Sequence, residues 1–154
     1  FGTTSGGFTS ISMDIREATD LAATSEFYNA ATTPNPDTLV ASTPVLGASW
    51  TATVTRAVRS LPGPLFVSVR ASRNPLANGV QGPAPLPLGA GGRILISGAS
   101  FSSLSGMHNG IRGSVSTVLP ASFSLLCMHF AAQATLVGSD TRLSSAIEGT
   151  VGTF

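Results

Sequence analysis

The sequence predicts an all-β chain, an antiparallel β-sandwich of about seven to eight strands. Three observations carry this. Short runs alternate apolar and polar residues, Gly- and Pro-rich tracts separate them, and no amphipathic helical pattern lies between them. The length of 154 residues suits one domain, and 42% hydrophobic residues suffice for a core.

The first run places Thr9, Ile11, Met13 and Ile15 on one side and Ser10, Ser12, Asp14 and Arg16 on the other, the period of a half-buried strand. Asp20 then stands where it could cap a short helix through Ala30, with Leu21, Thr24 and Tyr28 on one face. The tract Ala31-Thr32-Thr33-Pro34-Asn35-Pro36-Asp37 is extended and incompatible with helix. It marks a join, and the chain divides into an N-terminal acidic arm or first hairpin, 1–43, and a β-sandwich, 44–154.

In the body, Ala48–Arg59 sets Trp50, Ala52, Val54 and Val58 against Ser49, Thr51, Thr53 and Thr55. A tryptophan on the apolar face of its strand is a core residue before it is a stacking platform. Leu65–Arg70 repeats the pattern with Leu65, Val67 and Val69. A loop is expected from Ala71 to Gly92, with Asn74-Pro75 and Asn78-Gly79 as turn signals. Arg93–Ser97 and Ser114–Leu119 are short strands, and Asn109-Gly110 suits a tight turn. Phe123–Val137 is the longest run, with Met128, Phe130, Ala132, Ala134 and Leu136 on one face and a bend partway. Leu143, Ile147 and Val151 belong to a final strand.

Charge narrows the function. The chain has no lysine, and no aspartate or glutamate lies between Asp37 and Asp140. Most hydrolytic, metal-dependent and phosphoryl-transfer chemistry uses a carboxylate or a lysine, so the sequence points away from an enzyme. Residues 1–37 carry −4 and residues 38–139 carry +6, histidines neutral. Six arginines spread over that body do not make the clustered basic stripe of a nucleic-acid domain. Gly89-Ala90-Gly91-Gly92-Arg93 lacks the Gly-Lys-Ser/Thr of a phosphate loop and precedes a strand, so a turn is expected. Cys127 and His129 supply two metal ligands where zinc needs three or four. Gly98-Ala99-Ser100-Phe101-Ser102 lacks the closing glycine of a nucleophile elbow, although His108 or His129 could meet Asp140. No catalytic residue, cofactor or metal site is therefore assigned.

Only 10% of residues are charged, mean hydropathy is +0.32, and no apolar run is long enough for a membrane helix. A surface this apolar is expected to pack against copies of itself or to belong to a larger extracellular assembly. A chain beginning at Phe1 is what signal-peptide removal would leave, which places the protein outside the cell or on its surface. The lone Cys127 can form no internal disulfide. The expected role is a non-enzymatic structural subunit that assembles with itself into a filament, sheath or surface layer. Ile11, Met13 and Ile15 of the arm would pair with a neighbouring subunit. The alternative is a carbohydrate-binding module using Trp50 and Tyr28 against surface polysaccharide.

The segment Leu119-Pro120-Ala121-Ser122-Phe123-Ser124-Leu125-Leu126-Cys127-Met128-His129-Phe130-Ala131-Ala132-Gln133-Ala134, followed by Arg142-Leu143-Ser144-Ser145-Ala146, resembles a β-rich module found at the ends of large secreted proteins of planctomycete-type bacteria. In that module a Pro … Leu-x-Gly-x-x-Phe-x-Ala-Gln strand precedes a Leu-Ser-x-Ala strand. Pro87-Leu88-Gly89 and Pro44-Val45-Leu46-Gly47-Ala48-Ser49-Trp50 are similar to its opening strands. The resemblance spans residues 44–151, with Cys127 where the module often has Gly. It implies an extracellular β-sandwich and supplies no catalytic residues.

Overall fold

The computed structural model describes residues 21–76, 80–81 and 92–154. Its strands are β1 (Thr24–Tyr28), β2 (Thr38–Ala41), β3 (Ser49–Thr55), β4 (Gly63–Arg73), β5 (Val80–Gln81), β6 (Arg93–Ile94), β7 (Ile96–His108), β8 (Arg112–Val118), β9 (His129–Val137) and β10 (Thr141–Thr150). Eight of them form one antiparallel sheet in the order β1-β10-β9-β4-β7-β8-β3-β2, and β5 pairs with β6. The large sheet folds over on itself into a barrel-like sandwich, so the fold is all-β as the alternation predicts.

One side chain in two points inward, as the pleat requires. Trp50, Ala52 and Val54 of β3, Leu65 and Val67 of β4, Val115 of β8 and Phe130, Ala132, Ala134 and Leu136 of β9 share one core with Leu39, Ile147 and Val151. Asn109-Gly110 turns β7 into β8 as expected, with the Asn109 side chain accepting the amides of Ile111 and Arg112. Asn74 opens a turn whose Leu76 amide bonds its side chain at 3.0 Å. Asn78-Gly79 and Gly89–Gly91 lie outside the described residues, as do Ile11, Met13 and Ile15.

The structure corrects several expectations. Residues 22–30, the described part of the expected short helix beyond Leu21, are not helical. From Thr24 to Tyr28 the chain is β1, paired with β10 from Thr150 to Ala146, and ladder bonds with burial of Tyr28 outweigh one capping aspartate. The Phe123–Val137 run is not one strand. A 3-10 turn occupies Phe123–Leu125, Cys127 adopts φ 60°, and the strand begins at His129. Two strands were hidden. β2 lies in the Thr38–Ala41 stretch, and β7 extends through Ser-rich sequence to His108.

Among the described residues, closure is achieved on one side only. Residues 37–45 run beside 144–152, with parallel bridges at Asp37–Ser144 and Val45–Gly152. Ser145 N–H donates to the Asp37 carbonyl at 2.7 Å, and Leu46 N–H to the Gly152 carbonyl at 2.9 Å. A bulge in β10 between Leu143 and Ala146 makes this possible. It leaves Ser144 and Ser145 out of the regular ladder, and their hydroxyls accept the amides of Ala134 and Leu39 instead. The sandwich is thus zipped along β2/β10 by short polar side chains.

Candidate functional site: an open seam with an apolar cavity

On the opposite side the described strands do not close the sheet. β7 and β8 share one registered pair, His108–Gly113. Among the described residues no strand pairs with this edge of β7 from Ser100 to Met107, nor with the facing edge of β8 from Ser114 to Val118. Two glycines explain the geometry at the hairpin. A Cβ on Gly106 would stand 2.9 Å from Val115 Cγ1, and one on Gly113 2.8 Å from His108 Cβ. Glycine therefore lets the layers touch there, and the strands then diverge toward the other end.

Between the diverging strands lies a cavity of about 560 Å³, within the range of a ligand pocket. β7 supplies Ser100, Phe101, Ser102 and Leu104, and β8 with the chain after it supplies Thr117, Val118, Leu119 and Pro120. Trp50, Phe130, Leu125, Met128, Pro44 and Val151 complete the wall. Phe101 is the extra residue where the β4/β7 register shifts between Val69/Ser102 and Arg70/Ser100. Among the described residues no charged side chain lines this space. Its rim is exposed apolar surface, with Val118 at 68% and Phe123 at 82% exposure.

The two ends of the seam differ. At the mouth, Phe101, Val118, Phe123 and Phe154 are exposed. The described chain begins there, Leu21 accepting the Thr153 amide at 2.9 Å beside Val151. At the hairpin end, Val58, Leu61, Met107 and Ile111 are exposed, with Ser60 N–H bonded to the Gly110 carbonyl and Arg56 N–H to that of Ile111. At about 3.3 Å per residue, Phe101 and His108 lie about 23 Å apart along β7. Arg59 and Arg112 flank the hairpin end, exposed and without an ion pair among the described residues.

The buried charges serve the fold. Asp37 is 0% exposed, and its Oδ1 accepts the Ala57 amide at 2.9 Å while Oδ2 stands 3.7 Å from Arg56 Nε. Arg56 also bonds Ser60 Oγ at 2.6 Å and Asp140 Oδ1 at 2.5 Å, and Arg142 bonds the other Asp140 oxygen. Burial alone would raise the Asp140 carboxyl, but hydrogen bonds from Arg142 and Arg56 outweigh it and hold the group below its ordinary value of 3.8. A depressed carboxylate contributes stability that is complete above its unfolded value and disappears as pH falls through the folded one. The urea midpoint should therefore hold as pH falls from 7 to about 4.5 and drop below pH 3.8, and Asp140→Asn should flatten that acid limb. An unchanged acid limb in Asp140→Asn would assign the drop to other groups.

The other candidate residues are placed apart. His108 Nε2 bonds the Val137 carbonyl at 2.8 Å and its Nδ1 accepts the Gly110 amide at 3.1 Å, so both ring nitrogens fasten the hairpin. His129 contacts Thr150 Oγ1 at 3.1 Å, and Asp140 is held by arginines. No group of three or more His, Cys, Asp or Glu that could hold a metal occurs among the described residues. No helix among them is long and apolar enough to cross a membrane. Trp50 is 3% exposed and meets Phe130 edge to face at 5.7 Å. Tyr28 bonds the Leu95 carbonyl at 2.9 Å and carries Arg73 5.0 Å from its ring centroid. Burial, then Glu148, push its phenol pKa upward. Neither ring lies open as a flat sugar platform.

Sequence reasoning missed the seam, because alternation in Ser114–Leu119 reads the same whether or not a strand is paired on both edges. No family model, curated protein or solved structure matches the chain.

Proposed function

We propose that this chain is a non-enzymatic structural subunit, acting outside the cell or on its surface, that assembles with copies of itself head to tail. The observation that carries this reading is the set of exposed apolar side chains toward the two ends of the seam: Phe101, Val118, Phe123 and Phe154 at one, Val58, Leu61, Met107 and Ile111 at the other. Scattered single apolar side chains are ordinary on a protein surface, but clusters of them mark contact sites. Two unlike patches at two ends make a heterologous contact, which does not close on itself unless the rotation forms a ring, and so gives a filament or sheath. Low charge supports the reading, since little repulsion opposes association.

Negative-stain microscopy and light scattering across a concentration series test it. Polymers are expected in the wild type. Phe123→Ser and Leu61→Ser should each suppress them while changing stability by less than about 0.5 kcal/mol, because both positions are exposed. A chain that stays monomeric at every concentration would remove this reading.

A further inference from the structure

We infer that the β7/β8 seam is an acceptor groove for residues 8–16 of a second copy of this chain, which enter it as an added strand. This rests on the self-assembly reading and names its connector. Toward the mouth, Ser100–Leu104 of β7 and Ser116–Val118 of β8, edges with no strand partner among the described residues, face one another across an apolar cavity. A strand laid between them would satisfy main-chain donors and acceptors on both sides while its alternate side chains fill the space beneath. The arm has the matching pattern: Ile11, Met13 and Ile15 on one side, Ser10, Ser12 and Asp14 on the other. An uncharged cavity wall takes the first set.

Charge and tether choose the direction and the source. The arm carries Asp14, Glu17 and Asp20 toward its C-terminal end, and Arg59 and Arg112, exposed and without an ion pair among the described residues, stand at the hairpin end of the seam. An arm running antiparallel to β8, with its C-terminal end toward the hairpin, leaves the open part of the seam near Leu104 and carries its acids toward these arginines. A chain's own arm is tethered at the mouth, where Leu21 adjoins Gly152 and Thr153, and so enters in the opposite sense, with its acids against the uncharged rim. A neighbour's arm has no such restriction. Residues 17–20 reach about 13 Å when extended, which sets the donor's mouth on the acceptor's hairpin end. The exposed apolar side chains of the two ends then meet, and each subunit is donor at one end and acceptor along its seam.

The test uses the full chain in a Cys127→Ser background with Ser12→Cys and Ser116→Cys, oxidised over a range of concentrations. A ladder of interchain-linked multimers is expected, with yield rising with concentration. An intrachain bond at all concentrations, or no bond, overturns the inference. Ile11→Asp with Ile15→Asp should raise the concentration needed for polymers by more than about tenfold, since each places a charge in an apolar site. A free peptide of residues 8–16 should cap growth. Raised salt should slow growth in the wild type, and in Arg59→Gln with Arg112→Gln it should have less effect. Polymers that form normally in the unaltered chain but resist the peptide, the arm substitutions and the cross-link would overturn the seam while leaving self-assembly standing. Absence of polymers in the unaltered chain would remove both.

Discussion

Asp37→Ala should destabilise the fold by about 3 kcal/mol, read as a fall in urea midpoint at neutral pH. Asp37 is fully enclosed and serves three groups at once. Its carboxylate takes the Ala57 amide and faces Arg56, and its carbonyl takes the Ser145 amide that zips β2 to β10. Truncation takes the acceptor from the Ala57 N–H and removes one counter-charge from a buried guanidinium. Asp140 still binds Arg56, which keeps the expected loss at the low end of what breaking a buried pair costs. The Asp37–Arg56 contact itself is loose: at 3.7 Å, neither Asp37 Oδ2 nor Arg56 Nε makes a hydrogen bond. Replacing both, Asp37→Leu with Arg56→Met, should therefore recover part of the loss. A loss under about 1 kcal/mol in the single variant would mean that the closure does not depend on this carboxylate.

The strands that face a single core were legible because burial writes a period of two into them. β3, β4 and β9 show it plainly, and the structure puts Trp50, Val67 and Ala134 where the alternation points. β7 carries no such signal. Its middle is mostly Ser, its outer face is solvent, and a bulge at Phe101 breaks the register. Residues 24–28 share helical spacing at Thr24 and Tyr28, but what decides their state is the exposed edge of β10, a partner some 120 residues on. The Pro34–Asp37 tract reads locally as a break, and so it is in the backbone. Its side chains are nonetheless fasteners: Asn35 bonds the carbonyls of Arg93 and Ser144 and accepts the Arg93 amide. Gln133 bonds the same two carbonyls and takes the Leu95 amide. Such long-range pairings leave no periodic trace in one sequence. The seam was illegible for a related reason, since a missing neighbour changes no residue on the strand that lacks it.

Trp50→Ala is expected to cost about 3–5 kcal/mol, the range for deleting a large aromatic from a core. The ring is 3% exposed, packs edge to face on Phe130 at 87° and forms one wall of the seam cavity. Removing it enlarges a void that already exists, so the surroundings have less to collapse onto and the upper part of that range applies. Trp50→Phe should cost much less. The indole N–H is buried without a hydrogen-bond partner, a state that carries a penalty of about 1–3 kcal/mol, and phenylalanine removes that donor while keeping the contact with Phe130. Both variants need a probe other than tryptophan fluorescence, because Trp50 is the single tryptophan, and circular dichroism with urea supplies it. If Trp50→Ala unfolds at the wild-type midpoint, the ring is not a core wall, and the cavity could not present a firm surface to Met13 of an inserted strand. If the stability ranking holds, polymer growth by Trp50→Phe separates packing from assembly: a folded variant with a reshaped wall should still assemble, but release the 8–16 peptide faster than wild type.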